Sequence, residues 1–193
     1  MDMKAPSLGL LAASPLVDAL RRGGYVLIMR HPDSSRTHPD VSLARPGNVR
    51  RERQLDITAC DSVRAMGVAF RALQLKVSCV RSSSAFRARE ASELAGFGEP
   101  TEAPELDEVP CSSPGGAPPS DWLRAQSGRP PPVGTNTLLL THEPNIMDAF
   151  KAILPVAPGD MLVFLPADAA VGTLVARIPL RDWPHLAALD GSG

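Results

Sequence analysis

Five short apolar runs, separated by helical or loop-like sequence, constrain the fold of this 193-residue chain more than any other feature. The first three runs are typical of strands that are buried on both faces of a sheet. Strands that alternate with helices predict an α/β protein. We therefore expect a three-layer α/β/α sandwich around a mostly parallel sheet, with strands at Tyr25–Met29, Val77–Val80, Thr137–Thr141, Met161–Leu165 and Thr173–Ile178.

Capping residues and the spacing of apolar side chains indicate where the helices lie. Ser14-Pro15 is a favourable helix start, and Gly23-Gly24 ends that helix. Asp56 or Thr58 can cap a long second helix, and Gly96 closes a third. The other predicted helices are short and cover residues 121–126 and about 144–153.

The length suits one domain, and we interpret residues 1–193 as a single domain. Residues 1–13 are expected to be flexible. Residues 99–134 are rich in proline and glycine, and they predict a long ordered loop or lid inserted into the domain. A floppy surface insertion is the alternative interpretation of that composition.

Composition excludes several classes of protein. The net charge of −1 and the pI near 6.4 argue against nucleic-acid binding. No apolar run approaches the ~18 residues of a membrane span, so no membrane partner is expected. The three cysteines form no CxxC pair and indicate no zinc site. The N-terminal sequence makes a poor signal peptide, so we expect a cytoplasmic protein, with export the alternative if a leader has been removed.

Polar side chains follow three of the predicted strands at the points where those strands end. Arg30-His31 follows the first, Arg81-Ser82-Ser83-Ser84 the second and Thr141-His142 the third, with Arg87 soon after the second. In parallel α/β sheets the carboxyl ends of the strands meet at one edge, where ligands bind. Two imidazoles and two or three guanidiniums are costly to gather there without an anion, and a tetrahedral phosphate is the natural candidate.

The sequence lacks the residues that other hydrolase mechanisms require. A cysteine-based phosphatase needs an arginine six positions after its cysteine, but Met66, Ala85 and Ala117 stand there. His142-Glu143 begins like the zinc motif HExxH, yet Ile146 stands in place of the second histidine. No catalytic metal or other cofactor is therefore predicted, and a histidine remains as the candidate nucleophile.

At this point the sequence resembles the histidine phosphatase superfamily, the phosphoglycerate-mutase-like proteins. An Arg-His pair at the end of the first strand is the hallmark of that family, and it lies here within YVLIMRHPDS. Four further blocks resemble the family in the same order: RQLDITACDSVRAMGVAF, VRSSSAFRARE, LLLTHEPNI and PGDMLVFLP. The resemblance spans roughly residues 14–180 and implies a phosphoglycerate-mutase-like fold and a small, phosphatase-type member.

The resemblance also implies roles for individual residues. His31 corresponds to the nucleophile that becomes phosphorylated, and His142 to the second catalytic histidine. Arg30, Arg87 and His142 correspond to the groups that hold the phosphoryl oxygens. Ser34 occupies the place of a family serine or threonine that often touches phosphate.

The proton donor and two departures from the family pattern complete these expectations. The donor usually lies in a Leu-x-Glu segment, which selects Glu108 here and leaves Asp107 in reserve. Pro32 stands where a glycine usually follows the Arg-His pair, and it removes a backbone N–H that binds phosphate. Glu143 follows the second histidine, so its carboxylate must turn away from the pocket or shape substrate choice.

Together these features predict a metal-independent phosphomonoester hydrolase that acts through a phosphohistidine on His31. The substrate is a small phosphate ester or a phosphoprotein, and a phosphohistidine-protein phosphatase is the sharper alternative. A degenerate module that binds phosphate without turnover is the non-enzymatic alternative. A mutase is disfavoured, because family mutases carry longer insertions than the short stretch between Arg87 and His142. The sequence predicts no particular oligomeric state.

Overall fold

A mixed sheet of six strands forms the centre of the computed structural model, which describes residues 13–108, 118–151, 155–167 and 171–191. The strands are β1 (Val26–Arg30), β2 (Val77–Ser82), β3 (Thr101–Glu102), β4 (Asn136–Thr141), β5 (Met161–Leu165) and β6 (Thr173–Ile178). Their order across the sheet is β3-β2-β4-β1-β5-β6. The pairs β3-β2, β2-β4 and β4-β1 are parallel, whereas β1-β5 and β5-β6 are antiparallel. The predicted α/β class with a mostly parallel sheet is confirmed.

Helices cover both faces of this sheet. They are α1 (Ala13–Arg22), α2 (Ile57–Ala72), α3 (Phe86–Ala95), α4 (Pro119–Ser127), α5 (Glu143–Ala149) and α6 (Trp183–Asp190). The first three and α6 pack on one face, and α4 and α5 pack on the other. None of the helices in the described ranges is both long enough and apolar enough to cross a membrane.

Burial on both faces explains why the sequence of β1 is apolar throughout. Val26 and Ile28 pack against α4 and α5, whereas Leu27 and Met29 pack in the cluster with α1, α2, α3 and α6. All four side chains are at most 1% exposed. Burying each contributes about 1.5–3 kcal/mol, so the end of β1 is firmly held. The residues that follow the strand therefore have a fixed position.

Local sequence sets the ends of α2 and α3 and their close approach. Asp56, one of the two predicted caps, precedes α2 and accepts a hydrogen bond from the backbone N–H of Ala59 (2.7 Å). Gly96 ends α3 in the left-handed conformation (φ 81°), as predicted. A Cβ at Gly67 of α2 would lie 1.9 Å from the carbonyl oxygen of Ala95. Glycine therefore lets the two helices pack closely, which places the first turn of α3 beside the ends of the strands.

Some elements differ from the sequence-based predictions. Neither β3 nor α6 was predicted, because a two-residue strand carries no periodic pattern and α6 lies beyond the last predicted strand. Helix α4 begins at Pro119, two residues before the predicted start, since proline is favourable in a first helical turn. Helix α5 ends at Ala149 rather than near Ile153, and residues 152–154 lie outside the described residues.

The proline-rich stretch 99–134 contributes to the packed core where the structure describes it. Leu106 ends a 3₁₀ turn at Pro104–Leu106, and Leu123 lies in α4; both side chains are fully buried. These anchors make the two ends of the stretch part of the domain. Residues 109–117, and residues 1–12 of the predicted flexible N-terminus, lie outside the described residues. A lid over the site therefore stays a prediction.

Candidate active site

The carboxyl ends of β1, β2 and β4 lie side by side because β4 pairs in parallel with both of the other strands. The backbone N–H of His31 donates to the carbonyl of Thr141 (2.9 Å), and that of Ser83 donates to the carbonyl of Leu140 (2.9 Å). The imidazole rings of His31 and His142 lie edge to face with their centroids 5.0 Å apart. The structure therefore brings together the two histidines that the sequence singled out.

His31 is neutral and has a defined tautomer. Its Nδ1 lies 2.7 Å from the carbonyl oxygen of Pro32, which can only accept, so Nδ1 carries the proton. The Nε2 lone pair then accepts a hydrogen bond from Nε of Arg87 (3.2 Å). The pKa of His31 is lowered to about 4, mainly by burial. The hydrogen bond to Pro32 raises this pKa, whereas the charges of Arg87, Arg30 and Arg53 lower it. The nitrogen that faces Arg87 is therefore unprotonated near pH 7, with its lone pair directed at the guanidinium.

His142 is 1% exposed and uses both of its ring nitrogens. The Nη2 of Arg87 lies 3.1 Å from Nδ1, and because a guanidinium only donates, Nδ1 is an acceptor. The other nitrogen, Nε2, lies 2.8 Å from Oγ of Ser83. Burial, and after it the neighbouring His31 and the pocket arginines, together lower the pKa of His142 to about 2. The ring is therefore neutral, with its one proton on Nε2.

Arg87 connects the catalytic candidates. It lies in the first turn of α3, its side chain is 8% exposed, and one guanidinium contacts His31, His142 and Glu108. The contact with Oε2 of Glu108 is 2.6 Å long. Burial lowers the pKa of Arg87, and the charge of Glu108 opposes this effect. A buried guanidinium beside two neutral imidazoles is suited to binding a tetrahedral anion.

Arg30 has two partners within the protein. Its Nη1 donates to the carbonyl of Val156 and pairs with Oε2 of Glu143 (2.9 Å). Its Nε is buried and has no hydrogen-bond partner among the described residues. Glu143 opens α5 directly after His142, so its carboxylate does not turn away from the cluster. It partly neutralises an arginine that the sequence predicted to bind phosphate.

Ser34 belongs to the cluster through Arg53, which sequence reasoning did not assign to the site. Arg53 donates from Nη2 to Oγ of Ser34 (2.9 Å) and from Nε to the carbonyl of Ser35 (2.7 Å). Its charge lowers the pKa of both His31 and His142. The sequence did contain a signal for this residue, because Arg53 is the arginine of the Arg-x-Leu element that resembles the family.

The two candidate proton donors contact different partners. Glu108, half-exposed, pairs with the guanidinium of Arg87. Oδ1 of Asp107 accepts from Oγ of Ser83 (2.8 Å) and from the backbone N–H of Ser84 (2.7 Å), and the hydroxyl of Ser84 also donates to it (3.0 Å). Glu108 therefore contacts the cluster through Arg87, whereas Asp107 is held by the serines that follow β2.

An open cavity of about 250 Å³ adjoins the cluster. Ser84, next to Ser83, and Phe86, next to Arg87, line it together with residues 47–50. Glu52 also lines it, and the charge of this residue acts on Arg87. Neither the two histidines nor the guanidiniums of the cluster line this cavity, so it lies beside the cluster and not within it.

The described residues contain no group of three or more His, Cys, Asp or Glu side chains that is arranged to hold a metal ion. Cys60 is buried in the core and Cys79 is half-buried, and both are free thiols. Cys111 lies outside the described residues. Two imidazoles, three guanidiniums and the carboxylates beside them are the reactive groups that the strand ends bring together.

No protein-family model matches this sequence, and no curated protein matches it. Solved structures do match. The protein histidine phosphatase SixA, in a complex with tungstate, is 21% identical and has a TM-score of 0.58. The match covers 81% of this chain and 97% of that one. A putative phosphohistidine phosphatase SixA from Agrobacterium tumefaciens is 13% identical with a TM-score of 0.52, over 80% of this chain and 97% of that one.

A third match is a phosphoserine phosphatase from Entamoeba histolytica, whose structure contains phosphoserine. It is 10% identical with a TM-score of 0.52, and the match covers 81% of this chain and 98% of that one. The chain therefore has the fold of the histidine phosphatase superfamily, as the resemblance of its sequence implied.

Proposed function

We propose that this protein is a phosphatase that transfers a phosphoryl group from its substrate to Nε2 of His31 and then to water. One observation carries the proposal: Arg87 contacts Nε2 of His31 and Nδ1 of His142 with a single buried guanidinium. An anion bound at Arg87 lies against the lone pair of a neutral imidazole. That arrangement places phosphorus next to a nucleophile.

The first half-reaction forms the phosphoenzyme. The Nε2 lone pair of His31 forms an N–P bond while the P–O bond to the leaving group breaks. The departing alkoxide takes a proton from Glu108, whose carboxyl is brought to the site by its contact with Arg87. The Nδ1–H of His31 keeps its hydrogen bond to Pro32, which stabilises the positive charge that the ring acquires.

The second half-reaction releases phosphate. Water attacks phosphorus and gives a proton to Glu108, the P–N bond breaks, and its electron pair returns to Nε2 of His31. Inorganic phosphate leaves and the histidine is neutral again. Glu108 serves as acid in one step and as base in the other, so the two steps balance.

Guanidiniums supply the positive charge that phosphoryl transfer requires. Arg87 binds the equatorial oxygens after they displace the carboxylate of Glu108, and His142 donates to the same oxygens. Arg30 and Ser34, the second of which is held by Arg53, contribute from the β1 side of the cluster. The proposal needs no metal ion, because these groups and a carboxyl perform each role.

Two substrate classes fit the site, and phosphomonoesters are the first. A phosphohistidine protein is the second, and the contact between Glu108 and Arg87 favours it. While Glu108 accepts from the guanidinium of Arg87, its carboxyl is occupied by that contact and must be released before it can serve a departing alkoxide. The imidazole that leaves from phosphohistidine can take its proton from water near neutral pH, so it has less need of a carboxylic acid.

Phosphoenzyme trapping tests the proposal. With a chelator present, wild-type protein should hydrolyse p-nitrophenyl phosphate and form an acid-labile, base-stable phosphoenzyme. His31→Ala should lose at least about 10³-fold in turnover and all of the trapped label. The matched control is His185→Ala on the exposed surface of α6, which should behave as wild type. Near-wild-type turnover of His31→Ala contradicts the mechanism, and anion binding without any turnover identifies a degenerate binding module.

A further inference from the structure

Two hydrogen bonds, through the hydroxyl of Ser83, join His142 to a carboxylate that the proposed reaction does not use. Arg87 can only donate, so its contact with Nδ1 leaves the proton of the neutral His142 ring on Nε2. Nε2–H therefore donates to Oγ of Ser83 (2.8 Å), which in turn donates to Oδ1 of Asp107 (2.8 Å). The backbone N–H of Ala85 also donates to Oγ of Ser83 (3.1 Å). The hydroxyl of Ser83 thus accepts twice and donates once, which uses its full capacity and fixes the direction of the relay.

We propose that Asp107 is a positioning residue that acts through Ser83 on His142. It holds the first proton of the ring on Nε2 and supplies the negative charge that lets Nδ1 take a second proton, from the hydroxyl of a phosphate monoanion or from water, when a phosphoryl group replaces Arg87 as its partner. This inference rests on the proposed function, because the phosphoryl group is the anion that Nδ1 meets.

The reaction needs this second proton. In the free protein Nδ1 of His142 accepts from Arg87, and a lone pair at that position repels a phosphoryl oxygen. Once the oxygens bind Arg87, the ring can hold them only as a donor, and therefore as an imidazolium. A buried imidazolium is costly without a countercharge, and the relay provides one.

The charges around His142 come from every element that packs against it. His31 and Arg30 face it from β1, Arg53 from the loop before α2 and Arg87 from α3, and each of these lowers the pKa of its imidazole. Glu108 reaches the ring only through Arg87, and Glu143 is occupied by Arg30. Asp107, in contrast, connects to the ring through the hydroxyl of Ser83, with no arginine between them.

Asp107 is also held as a rigid part of the fold. Asn145 donates to its carbonyl from Nδ2 (2.9 Å), and Oγ1 of Thr141 donates to the carbonyl of Leu106 (2.9 Å). Both anchors come from the segment that carries His142. The carboxylate and the imidazole therefore keep their spacing, whereas a proton donor has to follow the leaving group of each substrate.

Kinetics with an aryl phosphate test the relay, because its phenolate leaves without an acid and the alkaline limb of kcat then reports His142. Asp107→Asn should shift that limb to lower pH by about one unit and weaken vanadate binding about tenfold, since the imidazolium loses its countercharge. Ser83→Ala should shift the limb in the same direction. The matched control is Ser84→Ala, whose hydroxyl contacts Asp107 but lies outside the relay; it should keep the wild-type limb.

Nitrogen NMR of the full chain with ¹⁵N-labelled histidine gives a readout that needs no turnover. The ring of His142 should carry its proton on Nε2 in the free protein and on both nitrogens with vanadate bound. In Asp107→Asn the vanadate-bound ring should lose its second proton at a pH about one unit lower than in wild type. If the variants do not fold, the wild-type spectra alone decide, because a proton on Nδ1 in the free protein overturns the relay.

The outcomes separate the relay from the proposed function. If wild-type protein hydrolyses neither a phosphate ester nor a phosphohistidine protein, the proposed function fails, and the NMR result still supports or overturns the relay. If turnover is present and Ser84→Ala shifts the limb as much as Ser83→Ala does, the relay is overturned. If Asp107→Asn loses activity on alkyl esters alone and Ser83→Ala does not, Asp107 is the proton donor and the relay is again overturned.

Discussion

Two arginine–carboxylate pairs border the imidazoles, and they differ in how firmly their partners are held. Arg87 is buried and contacts both imidazoles, but its partner Glu108 is half-exposed and lies at the edge of the proline-rich stretch. Arg30 is anchored to the carbonyl of Val156, and its partner Glu143 lies in the first turn of α5. The first pair joins the core of the site to a loop, and the second joins two elements of the fold.

This difference suggests which carboxylate a substrate replaces. Glu108 is half-exposed and can be rehydrated when it leaves Arg87, and an incoming phosphate supplies the buried guanidinium with a new anionic partner, so the exchange has a small cost. Glu143 is held in place by its helix and stays beside Arg30, where it reduces the positive charge at that side of the site. We therefore expect one phosphoryl group, bound mainly at Arg87, rather than a substrate with two phosphates.

Among substitutions in these two pairs, removing Arg87 should have the largest effect on activity and on anion binding. Arg87→Ala should lower kcat/KM by about 10³-fold or more and should abolish most of the rise in Tm that vanadate gives the wild type by mass action. Arg89→Ala is the control, since it removes a guanidinium of the same helix that pairs with Glu102. A vanadate shift in Arg87→Ala equal to that of wild type would mean that Arg87 does not bind the anion.

Replacing Glu108, the carboxylate that a substrate displaces, should have a smaller effect on activity that depends on the substrate. Glu108→Gln should slow alkyl phosphates about 10²-fold more than aryl phosphates, because phenolates leave with little help from an acid. The matched control is Glu105→Gln in the preceding 3₁₀ turn. An equal, small loss on both substrate classes would remove Glu108 from the role of proton donor.

Burial of the two imidazoles, together with the positive charges around them, also predicts a pH dependence of stability. The pKa of His31 falls from 6.5 to about 4 on folding and that of His142 to about 2, so the unfolded chain binds more protons below pH 6.5. The free energy of unfolding should therefore decrease as the pH falls from 6.5 to 5, by about 1.5 kcal/mol for each histidine and about 3 kcal/mol for the two together.

Denaturant titrations across that pH range check this expectation. The double variant His31→Gln/His142→Gln should show a shallower loss of stability on acidification than wild type. The surface variant His38→Gln/His185→Gln serves as the control and should follow the wild-type curve, since both side chains are exposed. Parallel curves for all three proteins would show that the two imidazoles are not held neutral by the fold.

The smallest expected effect is on anion binding and comes from replacing Glu143, the carboxylate that stays beside Arg30. Glu143→Gln should tighten phosphate and vanadate binding about three- to fivefold, because it removes a negative charge beside Arg30 while keeping the shape of the side chain. Asp148→Asn changes an exposed charge on the same helix and should leave binding as it is in wild type. Isothermal titration calorimetry measures both. Weaker binding in Glu143→Gln would show that Glu143 orients Arg30 for the anion.

The parts of the fold that the sequence could predict are those with local signals. The apolar runs gave β5 and β6 their observed bounds, and the runs of β2 and β4 fell two residues and one residue short because Ser82 and Asn136 at their ends are polar. The prediction for β1 began one residue early, at Tyr25, and missed the polar Arg30 at the other end. Asp56 and Gly96 act locally on their own helices and were recognised for that reason.

Contacts between distant segments could not be predicted in this way. Arg53 reaches Ser34 because the chain folds back on itself, with Ser34 forming a bridge to Leu55. Asp107 meets Ser83 across 24 positions of sequence, and Glu143 meets Arg30 across the sheet. The residue types at these positions were visible, but their pairing depends on tertiary structure.

The hydrogen bond from His31 to Pro32 has a consequence for the timing of catalysis. It joins adjacent residues, and the ring of Pro32 fixes its own backbone dihedral, so the nucleophile loses little conformational entropy when a substrate binds. His142, in contrast, changes its partner and its proton count during the cycle. Attack on phosphorus therefore needs no rearrangement of the nucleophile itself, and any slow step that precedes it belongs to its neighbours, through the release of Glu108 from Arg87 and the change at His142.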